Sequence, residues 1–122
     1  MKKENNKIEE KVINAEDRTL GRVASEVAMH LMGKTSPKFV RNAYSGFPVK
    51  VLNASKIKIT AKKLDELVHK RYSGIPGGLR IVKGKETVEK KGFKELIRLS
   101  IYQMLPGNKL RREMMKKLKI EE

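Results

Sequence analysis

A one-sided apolar pattern between residues 19 and 34 is the feature that most constrains how this chain folds. Apolar residues stand at positions 20, 23, 24, 27, 28 and 31, which is the spacing of one face of a helix. Thr19 is a favoured N-cap residue, and Gly33 supplies a left-handed stop. The pattern predicts an amphipathic helix that buries one face and leaves Arg22 and His30 off it.

Short segments rich in β-branched residues flank this helix. Val12-Ile13-Asn14-Ala15 and Val49-Lys50-Val51-Leu52 each suit a brief buried strand, and the alternation of Ile57 and Ile59 with polar residues predicts a further strand. Two strands joined through a helix by a long crossover run parallel in the same sheet. The order therefore predicts an α/β fold around a parallel sheet.

The second half of the chain contains clearer and less clear elements. Residues 61–72 fit a short helix and a strand equally well, whereas residues 79–82 predict a strand that Lys83-Gly84-Lys85 breaks. A second amphipathic helix covers 93–104 and is ended by Pro106. A last helix is predicted over 110–120, where Leu110, Met114 and Leu118 follow a spacing of four.

Two segments show no usable period. Residues 1–11 mix charges of both signs and are interpreted as a flexible leader, which leaves a single domain over residues 12–122. Residues 34–48 are rich in Pro, Gly, Asn and Ser and predict a long irregular connection. Loops of this length in a compact domain commonly carry function.

Charge restricts the class of partner. The chain has 29 Lys and Arg against 14 Asp and Glu, a net charge of +15, which calls for an anionic partner. It has no Cys and two His, so no metal and no cofactor are expected. No apolar run approaches the roughly 20 residues of a membrane span, and the charged start lacks a signal segment, so the expected location is the cytoplasm. Aromatic residues make up 5% of the chain, too few to anchor it on a membrane surface.

Enzymatic interpretations are weakly supported. Gly33-Lys34-Thr35 resembles the end of a phosphate-binding P-loop, but that motif requires Gly where this chain has Ala28, and here the triplet closes a helix instead of opening one. Most carboxylates have Lys or Arg nearby in the sequence, which favours solvated charge over acid–base chemistry. No catalytic residue and no small-molecule substrate are predicted.

Basic residues occur in several separate groups, which predicts a broad contact surface for folded RNA. The segment His69–Gly74 combines cations, two flat rings and a hydroxyl before flexible glycines, a mixture suited to phosphates and bases. Six cations and one acid lie between Lys109 and Lys119, more charge than pairing within a helix can neutralise. The candidate RNA-binding residues are Lys34, Lys38, Arg41, Lys62, Lys63, His69, Lys70, Arg71, Tyr72, Ser73, Gly74, Gly77, Gly78, Arg80, Lys109, Arg111, Arg112, Lys116, Lys117 and Lys119.

Four motifs, in order along the chain, resemble the large-subunit ribosomal protein family conventionally numbered thirteen, in its bacterial form. They are TLGRVASEVAMHLMGK at 19–34, VLNASKI at 51–57, YSGIPGG at 72–78, and MLP at 104–106 with the later Leu110, Arg112 and KKLK at 116–119. The resemblance spans nearly the whole chain.

This resemblance implies a three-layer α/β/α domain around a mainly parallel sheet, with basic loop and C-terminal helix extensions and a strand at 68–72. It implies a structural, non-catalytic protein of the large ribosomal subunit in the cytoplasm. Such a protein binds and organises 23S-type rRNA during assembly and translation, and it contacts neighbouring large-subunit proteins. A free RNA- or DNA-binding regulator is the alternative hypothesis, and an enzyme acting on a phosphorylated substrate is a distant third.

Overall fold

The computed structural model describes residues 10–37, 39, 41–42 and 46–122. These form a mixed α/β arrangement with a parallel sheet, which confirms the predicted fold class. Residues 1–9 of the predicted leader lie outside the described part, and Lys11 is the first residue of a strand. In chain order the elements are β1 Lys11–Asn14, α1 Leu20–Met32, β2 Val49–Leu52, a 3₁₀ turn Ala54–Lys56, α2 Ala61–Glu66, β3 Val68–Tyr72, β4 Leu79–Lys83, α3 Gly84–Met104, α4 Leu110–Lys116 and β5 Leu118–Ile120.

The central sheet has the strand order β1-β2-β5 with both neighbouring pairs parallel. Ile13, Val51 and Ile120 stand side by side in its register, and all three are buried. The next row consists of Val12, Lys50 and Lys119, which belong to the opposite face because side chains alternate along a strand. One face of the sheet thus contributes to the core.

Helix α1 forms as the sequence predicts. Thr19 is the N-cap with extended backbone, and Gly33 ends the helix at φ 81°, a left-handed conformation that glycine adopts readily. The six residues of the predicted apolar stripe are the buried residues of this helix. Their burial against the sheet and α3 makes α1 the centre of the core.

Helix α3 is longer than predicted and is bent at Gly92, whose φ of 80° and ψ of 179° are not helical. Helical structure already begins at Gly84, well before the predicted start at Phe93. The part after the bend buries Leu96, Ile97 and Ile101, and α3 packs on α1. The part before the bend, residues 84–91, has five charged residues and one large apolar side chain, Val88, which is why its periodicity is weak.

The predicted last helix is wrong beyond Lys116. Residues 118–120 form strand β5 beside β2, where Val49 N–H donates to the Lys117 carbonyl at 3.1 Å and Glu121 N–H donates to the Val51 carbonyl at 2.8 Å. The pattern of two apolar residues, Leu118 and Ile120, on either side of Lys119 is compatible with a strand and with one turn of a helix. The unpaired edge of β2 decides between the two.

The predicted strand at Ile57 and Ile59 is also wrong. Asn53 has a left-handed φ of 58°, and the 3₁₀ turn that follows it takes the chain out of the sheet. Only an isolated bridge between Thr19 and Lys58 remains there. The ambiguous segment 61–72 contains both predicted elements in succession, α2 and then β3, and the strand at 68–72 implied by the resemblance is confirmed.

Candidate nucleic-acid interface

The first candidate surface is the hairpin of β3 and β4, whose strands are antiparallel with Tyr72 opposite Leu79. Residues 67–85 contain no Asp or Glu, so the hairpin and its flanks carry positive charge only. Lys70 and Tyr72 are exposed, and they share the outer face with the exposed Leu79 and Ile81. Arg71 and Arg80 stand opposite each other and are both exposed as well.

The turn that joins these strands depends on glycine. Gly74 and Gly77 have φ values of 82° and 80°, a region that side chains with a β-carbon rarely adopt. Gly78 N–H donates to the Ile75 carbonyl at 2.9 Å, and a β-carbon on Gly78 would collide with the Ser73 hydroxyl. Residues 73–77 are all exposed. The turn therefore offers backbone groups and the Ser73 hydroxyl to a ligand that approaches closely.

His69 lies on the inner face of the hairpin and is 7% exposed, unlike the other candidates on this hairpin. Its Nδ1 atom is 3.3 Å from Gln103 Nε2, and its Nε2 atom has no hydrogen-bond partner among the described residues. Burial lowers the pKa of His69, and the nearby Arg71 lowers it further. A neutral His69 thus fixes the hairpin to the last turns of α3.

Lys62 and Lys63 are exposed on the short helix α2. Thr60 begins this helix and accepts a hydrogen bond from Lys63 N–H at 3.3 Å through its side chain. Helix α2 packs on α3 and β4, and Gly84 N–H donates to the Leu67 carbonyl at 2.8 Å. These contacts place the two lysines at the base of the hairpin.

The second candidate surface is a groove of about 880 Å³ between α3 and α4. The Arg111 guanidinium carbon lies 4.3 Å from the centre of the Tyr102 ring, and Arg111 Nε donates to the Pro106 carbonyl at 3.1 Å. Arg111 is therefore fixed against the protein, although it lies off the predicted apolar stripe of Leu110, Met114 and Leu118. The basic residues that line this groove are Arg98, Lys109, Arg111, Arg112 and Lys116.

Arg98 and Tyr102 also line this groove, and sequence reasoning did not single them out. Arg98 makes two hydrogen bonds to the Glu95 carboxylate at 2.7 and 2.9 Å, which lower the pKa of Glu95 and raise that of Arg98. Arg98 and Tyr102 lie off the apolar stripe of α3, and this position was the available sequence signal that their side chains face away from the core. Their proximity to α4 depends on the turn after Met104, which periodicity does not describe.

The folded chain brings a third group of cations to the same region. Lys34 and Arg41 line a cleft of about 320 Å³ together with Pro106, Asn108 and residues of α4. Both cations are exposed, and they come from the segment after α1, far from α4 in sequence. Lys38, predicted with them, lies outside the described residues. Two of the predicted basic groups thus meet at one end of the molecule.

The last two candidate residues, Lys117 and Lys119, lie beyond the helical residues of α4. Lys117 is the C-cap of α4 and is partly buried. Lys119 belongs to β5 and is exposed in the same row as Val12 and Lys50, so it does not project from a helix. Lys50 makes an ion pair with Glu121 at 2.9 Å, which raises the pKa of Lys50.

Two other classes of site find no support in the described part of the chain. Over residues 10–37, 39, 41–42 and 46–122, no three His, Asp or Glu side chains are grouped closely enough to hold a metal ion. Among the same residues, no helix combines the length and the apolar character needed to cross a bilayer.

Comparison with known proteins gives a single consistent result. The family model described as Ribosomal protein L13 matches residues 9–121. The large ribosomal subunit protein uL13 of Thermosipho africanus is 41% identical over 120 residues, which cover 98% of this chain and 80% of that protein. The uL13 proteins of Ruminiclostridium cellulolyticum and Syntrophomonas wolfei are 43% and 44% identical over 109 residues, each covering 89% of this chain and 75% of the relative.

Proposed function

The chain belongs to the ribosomal protein L13 family, and from that premise we propose that it is a structural constituent of the large ribosomal subunit that binds large-subunit rRNA of the 23S type. It is not an enzyme. Its place is the large subunit of the cytoplasmic ribosome, where neighbouring ribosomal proteins are its further partners. The binding of rRNA organises the subunit during assembly and translation.

The observation that carries the assignment of the RNA surface is the convergence of cations around α4. Lys109, Arg112 and Lys116 are exposed, and none of them has a carboxylate within ion-pair distance among the described residues. Lys34 and Arg41 lie beside the same helix. Closely spaced cations of this kind repel each other, and a phosphate backbone neutralises them while releasing its own counterions.

The hairpin supports a second contact region of the same RNA. Its cations have no acid within residues 67–85, and its turn exposes backbone and hydroxyl groups that suit phosphates and the ribose 2′-OH. The hydrogen bond between His69 and Gln103 fixes this hairpin to the end of α3 that also carries Tyr102. The two regions are therefore held in a defined relation, as recognition of a folded RNA by shape requires.

The salt dependence of rRNA binding tests the proposal. Lys109, Arg112 and Lys116 are changed together to Gln, and Arg111 is kept because it packs on Tyr102. Each lost phosphate contact reduces the slope of log K against log salt by about 0.7 to 0.9, so the triple variant is expected to lose about 2 to 3 units of slope. An unchanged slope would contradict the assignment of α4 to the interface.

A matched control removes the same charge elsewhere. Lys11, Lys58 and Lys94 are exposed cations outside the candidate interface, and their joint change to Gln is expected to leave most of the slope intact. Sedimentation tests the ribosomal assignment separately. Stoichiometric recovery with large subunits after a high-salt wash is expected, whereas a free regulator would be found in the soluble pool.

A further inference from the structure

The cleft beside α4 has an apolar interior. It is lined by Met32 at the end of α1, by Phe39 in the following segment, and by Leu110 and Met114 of α4. Met114 is buried and forms part of the core, whereas Phe39 is 38% exposed, so the cleft opens from the core to solvent. An exposed aromatic ring beside a concave apolar surface is typical of a site for a flat ligand.

The polar lining of the cleft is cationic and neutral, with no acid. Lys34 and Arg41 are both exposed at this site, and the remaining lining residues are Pro106 and Asn108. A cleft with a flat apolar ring and cations at its opening suits a base attached to a phosphate-bearing backbone. Its volume of about 320 Å³ lies at the lower end of the roughly 300 to 1,000 Å³ of small-molecule pockets, enough for one base and too small for a duplex.

Asn108 supplies a held polar group at the same site. Its side-chain Oδ1 atom accepts a hydrogen bond from Leu110 N–H at 3.1 Å. Its backbone N–H donates to the Pro106 carbonyl at 2.9 Å. The side chain is therefore fixed through its oxygen, and its amide nitrogen has no partner among the described residues. An amide nitrogen can donate to a carbonyl oxygen or ring nitrogen at a base edge.

Asn108 also connects the cleft to the basic groove, because it lines both. A strand of RNA whose phosphates follow Lys109 and Arg112 in the groove therefore passes the mouth of the cleft. We propose that the cleft holds one unstacked base of the bound rRNA, with Phe39 stacked on the base and Asn108 bonded to its edge. This inference rests on the proposed binding of rRNA and adds the mode of recognition.

Methyl NMR of the full chain tests the proposal directly. Met32 and Met114 line the cleft, whereas Met29 and Met104 are exposed elsewhere and serve as internal references. Short single-stranded oligouridylate and oligoadenylate are the probes, and heparin is the control because it is a polyanion without bases. A base in the cleft is expected to shift the Met32 and Met114 methyl signals through its ring current, with little effect of heparin. Absence of these shifts, or equal shifts with heparin, would overturn the proposal.

Substitution of Phe39 provides a second, independent test against rRNA. Base stacking on an aromatic ring contributes enough that Phe39→Ala is expected to weaken binding by about 5- to 150-fold at fixed salt. Phe39→Tyr retains a ring and is expected to bind within about threefold of the wild type. The slope against salt should not change, because no phosphate contact is removed. Met29→Ala truncates a similarly exposed apolar side chain outside the cleft and controls for loss of surface area.

The outcomes separate the two proposals. A wild-type chain whose rRNA binding lacks a steep salt dependence contradicts the proposed function itself. A wild type with the expected slope, combined with Phe39→Ala binding within twofold of it, refutes only the base cleft. Unchanged methyl signals of Met32 and Met114 on oligonucleotide addition would also refute the base cleft, and they require no variant. A misfolded Phe39→Ala therefore does not leave the question open.

Discussion

The bend in α3 is expected to require glycine at position 92. Its φ of 80° with ψ of 179° lies in a region that is open essentially to glycine alone, and other residues held there cost about 1 to 3 kcal/mol. A β-carbon at this position would also collide with the Glu122 carboxylate. Because that carboxylate ends an exposed, flexible side chain, it can move, and backbone strain accounts for most of the cost.

Thermal unfolding of Gly92→Ala measures this cost. An unfolding entropy of about 2.1 cal/mol/K per residue amounts to ~0.26 kcal/mol/K for a chain of 122 residues. A strain of about 1 to 3 kcal/mol then lowers Tm by roughly 4 to 12 °C. The double variant Gly92→Ala, Glu122→Ala removes the collision and keeps the strain, so it should recover little of this loss.

Gly21→Ala is the matched control. Gly21 lies in the first turns of α1 with a helical backbone, and a β-carbon there would meet nothing within 4 Å. The same chemical change is therefore expected to raise the stability by up to about 1 kcal/mol. A Gly92→Ala protein with Tm at or above the wild-type value would refute the argument from φ and ψ. Full recovery in the double variant would instead place the cost in the collision.

Two further predictions concern the core and pH. Ile97→Ala should lower stability by about 2 to 5 kcal/mol, because Ile97 is fully buried, whereas Ile81→Ala on the exposed hairpin face should change it by less than about 0.5 kcal/mol in thermal unfolding. Since the folded state lowers the pKa of His69, the unfolded state binds the proton more readily, and the free energy of unfolding should fall as pH drops below about 6.5. His69→Asn should weaken this pH dependence, and His30→Asn should weaken it in the same direction, because burial lowers the pKa of both histidines.

Elements whose burial pattern repeats within one segment were predictable. The stripe of α1 specifies its buried face residue by residue, and β2 has the predicted bounds Val49–Leu52. The structure of residues 118–120 was not predictable, because Leu118 and Ile120 fit a helix and a strand equally well. The strand forms because these residues pair with the edge of β2. The bend at Gly92 was also hidden, since the apolar spacing of α3 does not specify a φ of 80° at one residue.

The candidate interface was also predictable only in its local features. Each basic group was visible as a local excess of Lys and Arg, but the meeting of Lys34 and Arg41 with α4 is a result of tertiary structure. Likewise, the contact of Tyr102 with Arg111 crosses the turn at Pro106, and no sequence period describes it. His69 shows the opposite case, because the exposed cations Lys70 and Arg71 follow it in the sequence while it is itself buried.

The core and the basic surface are separate parts of the structure, because the basic segments are attached at the edge of the core. Buried residues of α1, the sheet and the second half of α3 form the core. The basic segments are attached to this core at fixed points: one follows Gly33 at the end of α1, one follows the turn at Pro106, and the hairpin is held by the hydrogen bond of His69. The repulsion among the cations acts outside that core, where added salt screens it. Ionic strength should therefore act oppositely on the free protein, which it relieves of repulsion, and on the complex with RNA, which it weakens.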